Sequence, residues 1–383
     1  MDELNFDRRL HAHLIGRQGS RADLNTPVLV LDLDALERNI VAMAETVRGR
    51  GVRLKPHAKT HKCVEIARRQ VAAGAAGQCC AKLGEAEALA DGGVSGLHIT
   101  SPVVSAPAIA RLIALNGTSD DLSVVADSPD NVADLARAAS PERPLQVVVD
   151  VDPGLHRTGV TSPEAAVALA RQIAESAALR YAGVQFYCGA HQHIAGYAER
   201  RAAMAERTAY LASVVEALRA AGLEPPLVTG SGTGAHRIDL ELGVMTELQP
   251  GSYVFMDDQY GDCELAEGAA APFERSLFVD TRVVSANTSG LVTVDGGLKA
   301  FATEGKPPRI AAGAPQDARV VFMGDEHCAV IAPDIEARLR IGDLVRLSPP
   351  HCDPTVNLYA AYHVVRGDTL VDIWPVSARG RGR

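Results

Sequence analysis

Pro27-Val28-Leu29-Val30-Leu31, with Asp34 soon after it and then Leu36, Ile40, Met43 and Val47, sets a texture that recurs through about the first 255 residues. A short apolar run rich in β-branched residues reads as a strand. Asp34 with Glu37 three residues on has the spacing of a helix capping box, and the four apolar residues that follow share one helical face. Further strand-like runs lie at 52–55, 77–80, 97–100, 122–126, 145–151, 182–187, 227–229 and 246–255, with Ala-rich helical stretches between most of them. Eight strand candidates after the first, alternating with helices, predict a (β/α)₈ TIM barrel. A doubly wound open sheet is the alternative. No G-x-G-x-x-G follows an early strand, which speaks against its dinucleotide-binding form.

After about residue 270 the texture changes. The runs 276–284, 290–294, 318–323, 343–347 and 360–365 are short, β-rich and bounded by turn residues, with Asn287-Thr288-Ser289-Gly290 and Arg366-Gly367-Asp368 as hairpin turns. The expected organisation is a barrel over 26–258 and an all-β domain over 259–383.

Composition removes several classes of function. The 383 residues carry 38 basic and 47 acidic side chains, a net charge of −9, so no general attraction to nucleic acid or anionic membrane is expected. No run of about 18 uncharged apolar residues offers a membrane span. Residues 1–25 are charged and lack the apolar segment of a secretory signal. Seven scattered cysteines without a C-x-x-C pair read as reduced thiols of a cytoplasmic protein.

Several stretches could carry chemistry. Lys55-Pro56-His57-Ala58-Lys59-Thr60-His61-Lys62 closes the first barrel strand, and barrel enzymes build their sites at strand C-terminal ends. A lysine among other cations in a half-dry mouth is expected to have a lowered pKa and to be nucleophilic; a solvated basic loop has the same composition. Gly230-Ser231-Gly232-Thr233-Gly234 follows a late strand, and Gln249-Pro250-Gly251-Ser252 the next one. Their backbone N–H groups and hydroxyls suit a phosphate, although either could be a plain turn. Arg157 follows the acidic strand end at Asp150 and Asp152; it suits an anionic oxygen or a surface ion pair. Tyr187 and His193 lie in a strand-end loop, where a histidine can act as general base or be merely structural. In Pro350-His351-Cys352-Asp353-Pro354-Thr355, an extended backbone would turn His351 and Asp353 to one side and Cys352 to the other. An imidazole and a carboxylate together suit a divalent metal; a Pro-punctuated surface loop is the alternative.

Together these parts resemble the fold-type III pyridoxal-phosphate enzymes, the alanine racemase-like group, and within it the D-threonine aldolase and 3-hydroxy-D-aspartate aldolase family. The likeness runs from about Thr26 to the C-terminus. It is carried by Pro56-His57-Ala58-Lys59, Gly232-Thr233-Gly234, Glu247-Leu248-Gln249-Pro250-Gly251-Ser252-Tyr253, Asp325-Glu326-His327, His351-Cys352-Asp353-Pro354-Thr355 and Trp374-Pro375-Val376-Ser377-Ala378-Arg379-Gly380. The resemblance implies that Lys59 holds pyridoxal 5'-phosphate as a Schiff base. Thr233, Gly234, Gly251 and Ser252 would hold its phosphate, Arg157 would lie near the phenolic oxygen, and Tyr187 near the cofactor. His351 and Asp353 would bind a divalent cation, Mn²⁺ or Mg²⁺. The implied activity is retro-aldol cleavage of a D-3-hydroxy amino acid to glycine and an aldehyde, by a homodimer, with His193 our candidate base. The strand 27–31 would join the β domain. Ala81 stands where the family often has Gln, and Ser231 where it often has Gly. A dehydratase on the same fold is the first alternative, and such relatives place a zinc-binding cysteine two residues after the histidine, where this chain has Asp353. A non-catalytic pyridoxal-phosphate carrier would lack the β domain, and a racemase would need a second base.

Overall fold

The structure is a computed structural model that describes residues 3–268 and 272–383, with side chains from Phe6 onward. The first strand, β1 (Val28–Asp32), is followed by eight parallel strands: β2 (Arg53–Leu54), β3 (Gln78–Cys80), β4 (Leu97–Ile99), β5 (Ser123–Ala126), β6 (Leu145–Val151), β7 (Leu179–Phe186), β8 (Val228–Gly230) and β9 (Glu247–Leu248). They pair in the order β2-β9-β8-β7-β6-β5-β4-β3. The sheet curls until its outer strands meet: a bridge joins His57 to Cys79, and the Cys79 N–H donates to Pro56 O at 2.8 Å. The eight expected strands are thus the eight of the barrel, with helices packed outside.

The first helix, Leu33–Val47, starts earlier than its sequence spacing suggests. Asp32, not Asp34, is the N-cap, accepting from the Ala35 N–H at 3.0 Å. Glu37 is therefore free to pair outward with Arg69 and Arg366. The run 246–255 is also not one strand. Only Glu247–Leu248 pairs, and the chain then folds into a tight turn at Ser252–Val254.

The second sheet contains β10 (Leu277–Thr288), β11 (Leu291–Val294), β12 (Arg309–Ala312), β13 (Arg319–Phe322), β14 (Cys328–Ile331), β15 (Leu344–Ser348), β16 (Ala361–Arg366) and β17 (Thr369–Pro375). Gly290 and Gly367, both at positive φ, turn the β10–β11 and β16–β17 hairpins. β1 lies in this sheet, antiparallel to β10 and parallel to β16. The N-terminal arm is fastened to it by a buried bidentate pair, Arg21 to Asp280, at 2.7 and 2.9 Å. Among the described residues no helix is long and apolar enough to cross a membrane. All seven cysteines are unpaired and buried.

Three contacts between the domains position the site. The Tyr362 hydroxyl donates to His61 O at 2.6 Å, and Phe255 packs on Tyr362 with ring centres 5.8 Å apart. Buried Asp257, just after the barrel, accepts the Cys352 N–H at 3.0 Å. The β-domain segment 351–356 is thereby held over the C-terminal ends of the barrel strands.

Candidate functional site

A cavity of about 530 Å³ opens at those strand ends. Its wall includes Lys59, Arg157, Tyr187, Thr233, Gly251 and Ser252, gathered from loops after β2, β6, β7, β8 and β9. A polar lattice inside the barrel fixes its floor. Gln185 Oε1 accepts from His98 Nε2 at 3.0 Å, and the Gln185 amide N–H donates to Asp150 at 3.0 Å. Gln249 donates to the Thr229 hydroxyl at 2.8 Å, which donates to Glu247 at 3.0 Å, and Glu247 meets Arg53 at 3.0 Å. The Gln185 amide is tied at both ends and the Gln249 Nε2 is shared between Thr229 and Gln185, which ties the floor into one network.

Lys59 sits in a single helical turn, Ala58–Thr60, capped by His57, whose Nδ1 accepts the Lys59 N–H. Its Nζ lies 3.5 Å from Asp353 Oδ1. That carboxylate raises the Lys59 pKa and outweighs burial, which opposes it. The expectation of a lowered lysine pKa is therefore corrected: the neighbouring cations are real, but an acid from the other domain dominates them. Asp353 in turn stays below the ordinary carboxylate range. Burial works to raise it, and the charges of Lys59 and His351 overcome that.

The backbone around His351 and Asp353 is not extended as the i, i+2 reading required. His351 is the N-cap of a short helical turn, Cys352–Val356. The two side chains still converge, with His351 Nε2 at 3.7 Å from Asp353 Oδ2. His351 Nδ1 is hydrogen-bonded to Glu304. A carboxylate on Nδ1 holds the proton there and leaves the Nε2 lone pair facing Asp353, the usual arrangement of a metal-binding histidine. These residues fit a divalent cation: one nitrogen and one carboxylate, both partly exposed, outside the cavity wall itself but joined to it through Lys59. Cys352 is fully buried and turned to Asp257, and burial pushes its thiol well up, so it offers the cavity no thiolate.

On the opposite side stands the glycine cup. Thr233 Oγ1 accepts the Tyr253 N–H at 3.0 Å, which leaves its hydroxyl hydrogen free to donate. A Cβ on Gly251 would come within 2.7 Å of the Thr60 hydroxyl and 3.2 Å of His57 O, so the turn can close on the lysine loop only as glycine. Gly234 is not in the cavity wall; a Cβ there would meet Gln192 O at 2.0 Å, so it stands behind the cup and lets another loop press against it. The Ser252 hydroxyl lies 3.5 Å from Asp353 Oδ2. A lysine facing a cup of small residues and hydroxyls fits pyridoxal phosphate.

Arg157 lies over the Tyr187 ring, 5.5 Å from its centre. His193 stacks on Tyr260 with centres 4.4 Å apart. Burial, then the charges of His351 and Lys59, lower its pKa, which keeps its imidazole neutral. Asp325-Glu326-His327 lies apart, on an exposed turn where Lys299 pairs with both acids. Sequence reasoning missed Glu304, Asp257 and Gln185. Nothing near them in sequence marks them; each acts through a partner far along the chain.

A second histidine–carboxylate cluster, Asp7, His11 and His363, brings one ligand-type atom from each within 4.8 Å. His11 Nε2 faces the Asn25 N–H at 3.0 Å, a donor, so the proton of His11 sits on Nδ1, which meets His363 Nε2 at 2.8 Å. Its lone pairs are already in use.

Residues 31–259 match the family described as alanine racemase, N-terminal domain, and residues 276–365 the one described as putative serine dehydratase domain. A 3-hydroxy-D-aspartate aldolase of Paracoccus denitrificans (strain Pd 1222) is 39% identical over 366 residues, 94% of each chain. The crystal structure of D-threonine aldolase from Filomicrobium marinum superposes with a TM-score of 0.90 at 38% identity, covering 94% of this chain and 97% of that one. A D-threo-3-hydroxyaspartate dehydratase of Delftia sp. (strain HT23) is 28% identical over 383 residues, 93% of this chain and 98% of its own.

Proposed function

This chain belongs to the family of the 3-hydroxy-D-aspartate and D-threonine aldolases, and from that membership we propose that it is a lyase which, with pyridoxal 5'-phosphate and Mn²⁺ or Mg²⁺, cleaves D-3-hydroxy amino acids to glycine and an aldehyde. The observation that carries the reading is the meeting of Lys59 with Asp353 at 3.5 Å, which brings a His–Asp pair of the β domain against the lysine of the barrel cavity. A simple carrier has no use for the second element.

Pyridoxal phosphate, when bound, supplies an electron sink for the pair released as the Cα–Cβ bond breaks. Lys59 would hold it covalently. The Thr233 hydroxyl and the Gly251–Ser252 turn would receive its phosphate, with Gly234 allowing the cup to form. Arg157 would face its phenolic oxygen, and Tyr187 would flank it. His351 and Asp353 would hold the cation, which would supply Lewis acidity. His193, whose lowered pKa favours the neutral imidazole, is the base for the substrate hydroxyl proton. The dehydratase alternative needs a zinc thiolate, and the thiol present here, Cys352, points out of the cavity.

A chelator tests this reading. Retro-aldol cleavage of D-threonine should stop, the yellow colour of the cofactor-loaded protein should stay, and Mn²⁺ or Mg²⁺ should restore the rate. Full activity in excess chelator would overturn it.

A further inference from the structure

The cavity wall contains three cationic side chains, Lys59, Lys82 and Arg157, and no Asp or Glu. Two of the three are engaged: Lys59 with Asp353, and Arg157 over the Tyr187 ring. The Lys82 ammonium has no acidic partner among the described residues.

Lys82 is exposed, but its backbone is fixed. Glu85 accepts the Ala81 N–H at 2.7 Å and the Lys82 N–H at 3.3 Å, making Lys82 the N-cap of the helix Leu83–Asp91. Glu85 is itself buried and held by Lys62 at 3.3 Å. The lysine therefore starts from a rigid point at the end of β3, beside Ser101 at the end of β4, and both residues line the cavity. Ala81, also in the wall, is too short to fill the space next to it. In the barrel, β2, which leads into Lys59, has β9 on one side and β3 on the other, so the strand end bearing Lys82 is separate from the cup over β8 and β9.

A cation free of internal partners, in a wall without acids, is set up for an anion that arrives with the ligand. We propose that Lys82, with Ser101 in the same stretch of wall, receives a carboxylate carried on the β-carbon of the substrate, so that this chain prefers a D-3-hydroxy dicarboxylic amino acid to D-threonine. The inference rests on the aldolase reading for its reaction, but not for its binding test.

The experiment uses cofactor-loaded protein, wild type and Lys82→Gln. D-aspartate and D-alanine, which have no β-hydroxyl to cleave, are titrated by calorimetry. In parallel, kcat/KM is measured for 3-hydroxy-D-aspartate and D-threonine. Wild type should bind D-aspartate more tightly than D-alanine and favour the dicarboxylic substrate. Lys82→Gln should lose about tenfold or more on the dicarboxylic ligands, mostly in KM, and little on the others. Lys82→Arg should recover part of the preference. Equal binding of D-aspartate and D-alanine by wild type would overturn the proposal. So would equal losses on both substrates, or weaker cofactor retention in Lys82→Gln, since Lys82 would then serve a group common to all ligands. Preferential D-aspartate binding without cleavage of either hydroxy acid would leave Lys82 standing and refute the aldolase reading instead.

Discussion

Two clusters in this molecule combine histidine with a carboxylate, and they differ in where their lone pairs go. Beside Lys59, Glu304 occupies His351 Nδ1, so Nε2 keeps its lone pair facing Asp353 across 3.7 Å. Behind the β sheet, His11 spends Nε2 on the Asn25 N–H, and its Nδ1 proton goes to His363. A metal on His11 Nδ1 would require that nitrogen to give up its proton while Nε2 kept a donor opposite it. Both clusters have the composition of a metal site, but hydrogen-bond direction makes the first open and the second closed.

The sharpest way to break this contrast is to remove what the open cluster serves. Lys59→Ala should lower retro-aldol turnover more than about a thousandfold, as loss of a covalent anchor does. Borohydride reduction of wild type should fix the cofactor in a peptide containing Lys59; label on Lys55 or Lys62 would contradict the assignment. Asp353→Asn should cost about a hundredfold or more and take bound Mn²⁺ from one ion per chain to none, read by elemental analysis. The matching change in the closed cluster, His363→Gln, should leave metal content unaltered. Two ions in wild type, or loss of one in His363→Gln, would erase the distinction.

Smaller effects sharpen it. Thr233→Val should weaken cofactor retention by roughly 1.5–3 kcal/mol, because a phosphate oxygen loses a charge-assisted hydrogen bond. The closed cluster should appear in the pH dependence of stability. Burial pushes His363 down to about 3, well under the ordinary value near 6.5. Between those limits the unfolded chain binds the extra proton, so this histidine's stabilising effect is complete above about pH 6.5 and fades as pH falls. Asp150 and Asp257, both raised to about 6, act in the opposite sense, since the folded state takes up their protons first. The whole-protein profile therefore mixes the two. The difference between wild type and His363→Gln isolates one group: wild-type stability should fall faster by about 1.4 kcal/mol per pH unit from pH 6 to 4. Parallel urea midpoints across that range would show that the pair is not held neutral.

Legibility in the sequence follows the same division. The barrel strands were readable because each is a local apolar run; 145–151 matches Leu145–Val151 end for end. β12, β14 and β17 escaped notice. Cys328–Ile331 is only four residues beside an acidic turn, and Thr369–Pro375 carries Asp372 on its exposed side. Lys59, Thr233 and Gly251 could be picked out because loop chemistry at strand ends is local. The state of Lys59 could not be, because Asp353, almost 300 residues away, sets it. Glu304 was invisible for the same reason: its role exists only once His351 is folded against it.

Product analysis with purified, cofactor-loaded protein, Mn²⁺ and 3-hydroxy-D-aspartate tests the central claim most directly. An aldolase breaks Cα–Cβ and leaves glycine and glyoxylate in equal amounts. A dehydratase expels the hydroxyl and leaves oxaloacetate and ammonia. The account predicts glycine and glyoxylate with no ammonia; ammonia and oxaloacetate without glycine would contradict it.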